Sequence, residues 1–429
     1  MAIFVPRAIP GDVVSARIIE KRKNYAIAEL SDLVRPSADR VEASCPAFSQ
    51  CGGCSLLNMR YEAQLRWKRT LVVDALERIG HIPNPPVKST LPCESPFHYR
   101  NKIVLPMTKE RGRIRIGAYA RGTHEIAGSA TCLLHARELN KLVAGAAEVL
   151  EELKYTAYDE TTNRGLVRYV LGRVGMSTGE LMGGLVTAVR KLPKTQAFVR
   201  ALVEKVPQLT TVVQNVNATP GNIVLGEETR TLFGKGFIED VISYPELGSL
   251  KFRISATSFY QINPIQAAKC YAQAVRFVTP CECVVDLYSG IGTITSFLAS
   301  KASVAVGIEE SSRAVRDAIQ NARLNGINNA RFIAGRAERE MPRLMASGLK
   351  PQAVVLDPPR AGAAPDVLEA ILRAAPEKIS YISCYPPTLA RDLTILLQRY
   401  ELVDVQPVDM FPHTIHVECV ASLKRKHSS

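Results

Sequence analysis

The chain has 429 residues, more than one ordinary hydrophobic core accommodates, so two or three domains are expected. Apolar residues make up 46% of it, which excludes an intrinsically disordered protein. Lys and Arg number 54 against 41 Asp and Glu, and the net charge of +13 favours RNA or DNA as a partner ahead of a membrane surface. A basic protein with no polyanionic partner is the alternative.

The N-terminal stretch MAIFVPRAIPGDVV contains Pro and Asp and has no apolar core run, so it is not typical of a secretory signal. No stretch approaches ~20 consecutive apolar residues, so no membrane-spanning helix is expected. We therefore predict a cytoplasmic protein with reduced thiols. In that setting the ten cysteines indicate metal binding or catalysis more than disulfide bonds.

The first half of the chain predicts two small units. Residues 1–40 alternate apolar and polar side chains around the turn KRKN, which predicts a β-hairpin of a small barrel. Residues 41–253 begin with the cysteine-rich loop CPAFSQCGGC and continue with a helix that stops near Gly80. Strand-like runs such as LVRYVLGRV, TTVVQNV and NIVLG follow. This mixture predicts an α+β domain built on an antiparallel sheet.

Strands alternate with helices from about residue 254 to the C-terminus. The strand-like runs are CVVDLYSG, VAVGIEE, ARFIAG, AVVLDPP and KISYISC. Alternation of this kind predicts an α/β domain with a parallel, doubly wound sheet. The last two runs, ELVDVQPVDMF and HVECVASLKRK, have no helix between them, so we expect them to pair as a hairpin.

Polar residues follow several of these strands, and ligands of open α/β sheets bind at the carboxyl ends of strands. Asp286 ends one strand and is followed by Gly290 and Gly292, which allow a tight turn and close approach of a ligand. Glu309 ends the next strand, where a carboxylate can accept hydrogen bonds from ribose hydroxyls. Asp357 ends a further strand before two rigid prolines.

The glycine turn does not by itself define the ligand. It lacks the third glycine of G-x-G-x-x-G, and the chain has no G-x-x-x-x-G-K-[ST], so NAD and ATP are less favoured than S-adenosylmethionine. A packing role for these glycines is the alternative.

Five motifs occur in order downstream of the cysteine loop: DLYSGIG, GIEESSRAVRDAIQNARLNG, VVLDPPRAG, YISCYPPTLARDL and DMFPHTIHVE. Together they resemble the S-adenosylmethionine-dependent RNA 5-methyluridine methyltransferases, in the iron–sulfur-bearing branch, over nearly the whole chain. The resemblance implies a Rossmann-like class I methyltransferase domain at 254–429 and a central α+β domain with an iron–sulfur loop at 41–253. It also implies a small OB-like (TRAM) β segment at 1–40, whose barrel either is incomplete or continues upstream.

Methylation at C5 of uracil requires one nucleophile and one base. C5 becomes nucleophilic only after a thiolate adds to C6, and the C5 proton must be removed after methyl transfer. The resemblance implies Cys384 as the nucleophile and Glu418 as the base. Taken alone, a strand-end cysteine is more often a small buried residue, and a glutamate of a C-terminal strand is usually solvated on one face. Relatives usually carry Asn where this chain has Tyr385.

The resemblance also implies residues around the methyl donor: Gln261, Tyr288, Thr293 and Glu309, with Asp357 closing the site. One position departs from the family pattern. Arg336 occupies a place where relatives commonly carry Asp, and a guanidinium cannot accept a hydrogen bond from the adenine amino group. We therefore expect a different arrangement around the adenine.

Cys45, Cys51 and Cys54 form a C-x5-C-x2-C loop, and the resemblance adds Cys132 as a fourth ligand. Four thiolates suit a [4Fe–4S] cluster or tetrahedral zinc, and the spacing does not separate the two. The resemblance favours the [4Fe–4S] cluster. For zinc, His135 is an alternative fourth ligand.

The sequence therefore predicts an enzyme that forms 5-methyluridine in RNA with S-adenosylmethionine as methyl donor. 23S rRNA is favoured because cluster-bearing relatives act largely there, and uridine 54 of tRNA is the alternative. We expect RNA as partner, no membrane, and a monomer. A second hypothesis is base amino-methylation, since DPPR resembles N-P-P-[YF], but it has no use for Cys384 or Glu418. A third is a non-catalytic, metal-bearing RNA-binding protein.

Overall fold

The structure is a computed structural model that describes residues 1–128, 131–221 and 223–426. The helices are α1 (Tyr61–Arg78), α2 (Arg137–Glu152), α3 (Thr195–Lys205), α4 (Pro264–Val278), α5 (Thr293–Ala299), α6 (Ser312–Leu324), α7 (Ala337–Ala346), α8 (Pro365–Ala374) and α9 (Pro386–Leu396). Within these ranges, none of the helices combines the length and the apolar character needed to cross a membrane.

Over the described residues, the strands fall into four sheets. Those before the last domain are β1 (Ala2–Phe4), β2 (Val13–Lys21), β3 (Tyr25–Arg35), β4 (Lys102–Glu110), β5 (Arg113–Ile116), β6 (Val167–Val174), β7 (Leu181–Thr187), β8 (Leu209–Val216), β9 (Glu228–Gly234), β10 (Phe237–Tyr244) and β11 (Gly248–Ser255). The last domain contains β12 (Cys281–Leu287), β13 (Ala302–Glu309), β14 (Ala330–Ala334), β15 (Ala353–Leu356), β16 (Lys378–Ser383), β17 (Tyr400–Val408) and β18 (Glu418–Arg425).

The N-terminal segment is a three-stranded sheet in the order β1-β3-β2. β2 and β3 pair antiparallel across the KRKN turn, as the alternating pattern predicts. The central sheet has six strands in the order β5-β4-β6-β7-β8-β9. Its neighbours are antiparallel except β7 and β8, which run parallel because α3 crosses between them.

One strand prediction in the central domain is wrong. The run NIVLG contributes no strand over residues 223–226, and residue 222 lies outside the described part of the chain. The side-chain amide of Asn217 donates to the carbonyls of Ile223 and Val224, and the amide of Asn215 donates to the carbonyl of Gly226. These side chains occupy carbonyls that a sheet ladder would need, so the segment is a loop.

The last domain contains a seven-stranded sheet in the order β14-β13-β12-β15-β16-β18-β17. Its first five strands are parallel, and β17 and β18 form the expected antiparallel hairpin. Successive residues of β12 point into separate cores: Val284 packs with α4 and α5, and Val285 packs with α8 and α9. Burial on both faces explains why the strands are almost continuously apolar, and it confirms the predicted doubly wound fold.

The loop between β17 and β18 joins the last domain to the central one. Lys68 of α1 forms a fully buried ion pair with Asp409 at 2.5 Å, and the hydroxyl of Tyr61 donates to the same carboxylate. The carbonyl of His413 accepts hydrogen bonds from the backbone of residues 55 and 56, immediately after Cys54. The backbone N–H of His413 donates to the side chain of Gln64. The loop that leads to Glu418 is therefore held by the cysteine-bearing segment.

Candidate active site

A cavity of about 790 Å³ opens at the carboxyl edge of the seven-stranded sheet, where the strand order reverses beside β12. Carboxyl ends of parallel strands meet at one edge, so polar residues that follow different strands come together there. All the residues predicted for methyl transfer line this cavity: Gln261, Tyr288, Thr293, Glu309, Asp357, Cys384 and Glu418. The roles of these residues stay predictions.

The turn after β12 forms one wall of the cavity. Tyr288, Gly290 and Gly292 have φ of 66°, 55° and 79°, all in the left-handed region. A Cβ at Gly292 would lie 2.8 Å from the ring of Phe332, so a larger residue does not fit there. Tyr288 adopts a conformation that non-glycine residues rarely show, and such local strain is often found at ligand sites.

Glu309 is fixed by backbone donors on both sides. One carboxylate oxygen accepts from the N–H of Gly290 at 3.0 Å and the other from the N–H of Ser311 at 2.8 Å. Each oxygen has a second acceptor position. The carboxylate therefore lines the cavity in a defined orientation with capacity left for a ligand hydroxyl.

The central domain holds the opposite wall. Asn101 donates from its backbone to the carbonyl of Ile262 and from its side chain to the carbonyl of Gln261, both at 3.0 Å. The buried guanidinium of Arg173 donates to the carbonyls of Ala256 and Ser258. The sequence pattern does not predict a role for these two residues; for Arg173 it offers only the presence of a charged residue inside the apolar run LVRYVLGRV.

Three adjacent strands bring the predicted nucleophile, the predicted base and Asp357 together. Ser383 pairs with Cys419 in the antiparallel β16–β18 ladder, so Cys384 follows opposite Glu418. Leu356 pairs with Tyr381 in the parallel β15–β16 ladder, so Asp357 emerges at the same edge. Cys384 is half-buried, whereas Glu418 is 2% exposed.

Burial dominates the electrostatics of Cys384, Glu418 and Asp357. Burial and the neighbouring Asp357 raise the pKa of Glu418 well above its usual range, and burial raises the pKa of Asp357 to about 7. Two carboxyls in one site cannot both ionise easily, so near neutral pH the pair retains a proton. Burial, with added repulsion from both carboxyls, raises the pKa of Cys384 to about 11. A cation bound in the cavity would favour the ionised form of all three groups.

Asp286 and Arg336, which the sequence analysis also singles out, each bond to another side chain of the protein. Asp286 is fully buried, does not line the cavity, and accepts a hydrogen bond from the hydroxyl of Thr295 at 2.6 Å, which ties the end of β12 to α5. Arg336 lines the cavity, and its guanidinium forms an exposed ion pair with Glu310 at 2.9 Å. Exposed pairs of this kind contribute little stability, so Arg336 is free to exchange this partner.

The four predicted cysteine ligands surround a second cavity of about 90 Å³, which Arg100 and His135 also line. Burial, with repulsion from Cys132 and Cys51, raises the pKa of Cys54 to about 12. The side-chain amide of Asn140 in α2 bonds both the N–H and the carbonyl of Cys132, at 3.1 and 3.0 Å. Across the described ranges of the chain, no three His, Cys, Asp or Glu side chains are spaced to hold a metal ion as they stand.

The sheet, its glycine turn and its acidic strand ends define a Rossmann-like methyltransferase. A family model described as tRNA (uracil-5-)-methyltransferase matches residues 201–426. An uncharacterized RNA methyltransferase of Halalkalibacterium halodurans is 42% identical over 99% of this chain and 93% of its own length. One of Listeria monocytogenes is 42% identical over 98% of this chain and 92% of its own length. The chain therefore belongs to the tRNA (uracil-5-)-methyltransferase family, which confirms the predicted resemblance to the RNA 5-methyluridine methyltransferases; the iron–sulfur-bearing branch stays a prediction.

A solved structure covers almost the entire fold. The tRNA (uracil-54, C5)-methyltransferase of Pyrococcus abyssi, in complex with S-adenosyl-L-homocysteine, aligns with a TM-score of 0.78 and 28% identity. The alignment covers 98% of this chain and 95% of that chain. The similarity therefore extends over the N-terminal, central and methyltransferase parts together.

Proposed function

We propose that this protein transfers the methyl group of S-adenosylmethionine to C5 of a uridine in RNA. The observation that carries the proposal is the meeting of Cys384, Glu418 and Asp357 in one cavity with the glycine turn and Glu309. The residues present fit the methyl donor, since Glu309 has free acceptor positions for ribose hydroxyls. The carboxyl groups of Asp357 and Glu418 suit a sulfonium cation, which supplies the methyl group when it is bound.

Cys384 acts first, as the nucleophile. Its ionised sulfur adds to C6 of uracil, and the electron pair of the C5–C6 bond moves onto C5 and O4 to give an enolate. C5 then forms a bond to the methyl carbon while the bond between that carbon and the donor sulfur breaks; the electron pair stays on the sulfur, and the donor leaves as S-adenosylhomocysteine. The carboxylate of Glu418 removes the remaining proton from C5, the C5–C6 double bond re-forms, and the C6–S bond breaks to release the thiolate.

The position of Cys384 constrains the substrate. The thiol is half-buried inside a cavity, and a base stacked in a helix cannot reach it. The target uridine must therefore leave its stack, which is least costly in a loop or flexible junction of a folded RNA.

Methyl transfer from labelled S-adenosylmethionine to RNA tests the proposal. We expect Cys384→Ala to abolish incorporation while it retains donor binding by calorimetry. Cys283→Ala is the matched control, because Cys283 is also half-buried but lies at the start of β12, outside the cavity lining. RNA with 5-fluorouridine should trap the wild-type protein covalently, since fluorine at C5 blocks proton removal. Full activity of Cys384→Ala would refute the mechanism.

The favoured RNA is 23S rRNA, on the basis of the cysteine set that this chain shares with cluster-bearing relatives. Uridine 54 of tRNA is a second candidate, because the Pyrococcus abyssi enzyme with which the fold aligns is named for that position. Parallel assays with 23S rRNA and tRNA transcripts, followed by mass spectrometric mapping of 5-methyluridine, separate these two.

We also propose that Cys45, Cys51, Cys54 and Cys132 hold a [4Fe–4S] cluster that supports the fold and takes no part in methyl transfer. The fit rests on four thiols around one cavity and on the N–H of Gly53, which donates to the sulfur of Cys51 at 3.3 Å. A cationic centre would stabilise the clustered thiolates. Anaerobic purification should give iron and sulfide in equal amounts, and Cys54→Ser should lose both. Zinc without sulfide would contradict the cluster.

We also propose that the enzyme acts as a monomer, and the supply of all the proposed site residues by one chain supports this. Light scattering after size exclusion should give a mass near 47.0 kDa, and a stable dimer would contradict this.

A further inference from the structure

Tyr385 and Arg360 form a paired unit at the mouth of the active-site cavity. Tyr385 directly follows Cys384, and Arg360 is the last residue of the LDPPR turn that begins at Asp357. The guanidinium carbon of Arg360 lies 4.9 Å from the centre of the tyrosine ring. Arg360 and Cys384 line the cavity. Tyr385 follows Cys384 and packs on Arg360 without lining the cavity itself, so its exposed ring borders the cavity at the rim.

The geometry of this unit is built by the two turns that carry the reactive groups. The hydroxyl of Thr388 lies 2.9 Å from the carbonyl of Tyr385 and 3.3 Å from that of Arg360, and therefore bridges the two turns. The N–H of Tyr385 donates to the hydroxyl of Ser383 at 3.2 Å. Tyr385 is thus held in an extended conformation just before α9 begins.

The exposure of this ring distinguishes two explanations. A tyrosine that only fills space would be covered by its neighbours, yet Tyr385 is 37% exposed while Ser383 and Pro386 beside it are buried. A large ring exposed beside a catalytic thiol, with a guanidinium next to it, has the composition of a nucleic-acid stacking surface. Its π-face suits any base, and the cation suits a phosphate.

The position of the ring identifies which part of the RNA it would meet. The target uracil must enter the cavity so that C6 reaches Cys384, which leaves the rim to the adjoining nucleotide. We propose that Tyr385, oriented by Arg360, stacks on the base of the nucleotide adjacent to the target uridine and so holds the RNA in register. This inference rests on the proposed function, because it requires that a uridine occupies the cavity.

Steady-state kinetics provide the first test. Loss of one stacked base should weaken binding about 5- to 150-fold. We therefore expect Tyr385→Ala to raise the KM for RNA by this factor with little change in kcat. Tyr385→Phe retains the ring and should stay within about threefold of wild type, whereas Tyr385→Leu, which keeps the bulk but not the π-face, should resemble Tyr385→Ala. Calorimetry with S-adenosylmethionine confirms that each variant is folded.

A double-mutant cycle identifies the partner directly. Substrates carry an abasic residue on the 5′ or the 3′ side of the target uridine, and each is assayed with wild type and Tyr385→Ala. For one of the two abasic substrates, the KM of the wild-type protein should rise to the KM that Tyr385→Ala shows with intact RNA. The KM of Tyr385→Ala should be the same for that abasic substrate as for intact RNA. The inference would be overturned if each abasic substrate raised the KM of the wild-type protein and of Tyr385→Ala by the same factor. It would also be overturned if Tyr385→Ala left the KM for intact RNA unchanged. Absence of methyl transfer or fluorouridine trapping by the wild type would instead refute the proposed function.

Discussion

The thiol of Cys384 should respond to the charge of the methyl donor. S-adenosylmethionine carries a sulfonium cation, and S-adenosylhomocysteine has nearly the same shape without that charge. Burial and the two neighbouring carboxyls raise the pKa of Cys384 from its usual 9.0 to about 11. At pH 8 the thiolate fraction is therefore about 0.1%, compared with roughly 10% for an unperturbed thiol.

At an assumed separation of ~6 Å and an effective dielectric constant of ~20, a bound sulfonium would stabilise the thiolate by roughly 3 kcal/mol. This corresponds to a pKa about two units lower. We therefore expect S-adenosylmethionine to accelerate alkylation of Cys384 about 100-fold at pH 8 and to shift the rate–pH curve to lower pH. S-adenosylhomocysteine should leave the rate near that of the ligand-free protein.

Iodoacetamide labelling followed by peptide mass spectrometry measures the rate at each cysteine separately. Cys283, half-buried and outside the cavity lining, is the internal control and should not respond to either ligand. Equal acceleration by both ligands would show that shape rather than charge controls the thiol. Labelling of the ligand-free protein at the rate of an ordinary thiol would refute the electrostatic argument itself.

Three further results are expected. Glu418→Gln should slow turnover about 10²- to 10⁴-fold and accumulate a covalent adduct with unmodified RNA on denaturing gels; slow turnover without an adduct would assign proton removal to another group. Lys68→Met should destabilise the protein by about 3–5 kcal/mol, because the charge of Asp409 is left buried, and Lys68→Met/Asp409→Leu should recover most of the melting temperature; an unchanged single variant would contradict this. Affinity for S-adenosylmethionine should fall as the pH drops through about 7, since Asp357, whose pKa burial raises to about 7, is then neutralised and no longer attracts the cation. Calorimetry should show a smaller change for S-adenosylhomocysteine, and identical pH profiles for both ligands would contradict the role of the carboxylate.

The predicted cavity residues come together for a topological reason. Tyr288, Glu309, Asp357 and Cys384 each end or follow a parallel strand, and a doubly wound sheet brings such positions to one edge. Alternation of strands and helices is a local signal, so both the fold and this edge could be predicted. Predicting that Glu418 lies at this edge also requires knowing that β18 runs antiparallel to β16. The absence of a helix between the last two strand-like runs indicates this direction.

Contacts between the central and the last domain produce no local sequence pattern from which they could be predicted. Asn101 and Arg173 reach the cavity wall from strands and loops far along the chain, and nothing in their local pattern indicates a partner near Gln261. The pairing of Arg360 with Tyr385 is likewise a tertiary contact between two turns. The NIVLG run shows the opposite error, since side-chain amides override an apolar pattern that predicts a strand.

The hydrogen bond between Gln64 and His413 has a consequence for the order of events during synthesis, because the two residues are 349 positions apart. At ~5–20 residues per second a ribosome needs roughly 20–70 s to make the intervening chain. During that time the cysteine loop exists without the His413 segment that later contacts it, and Glu418, which lies opposite Cys384, has not been translated. The active site is therefore completed last, when the C-terminal hairpin docks onto a segment made near the beginning.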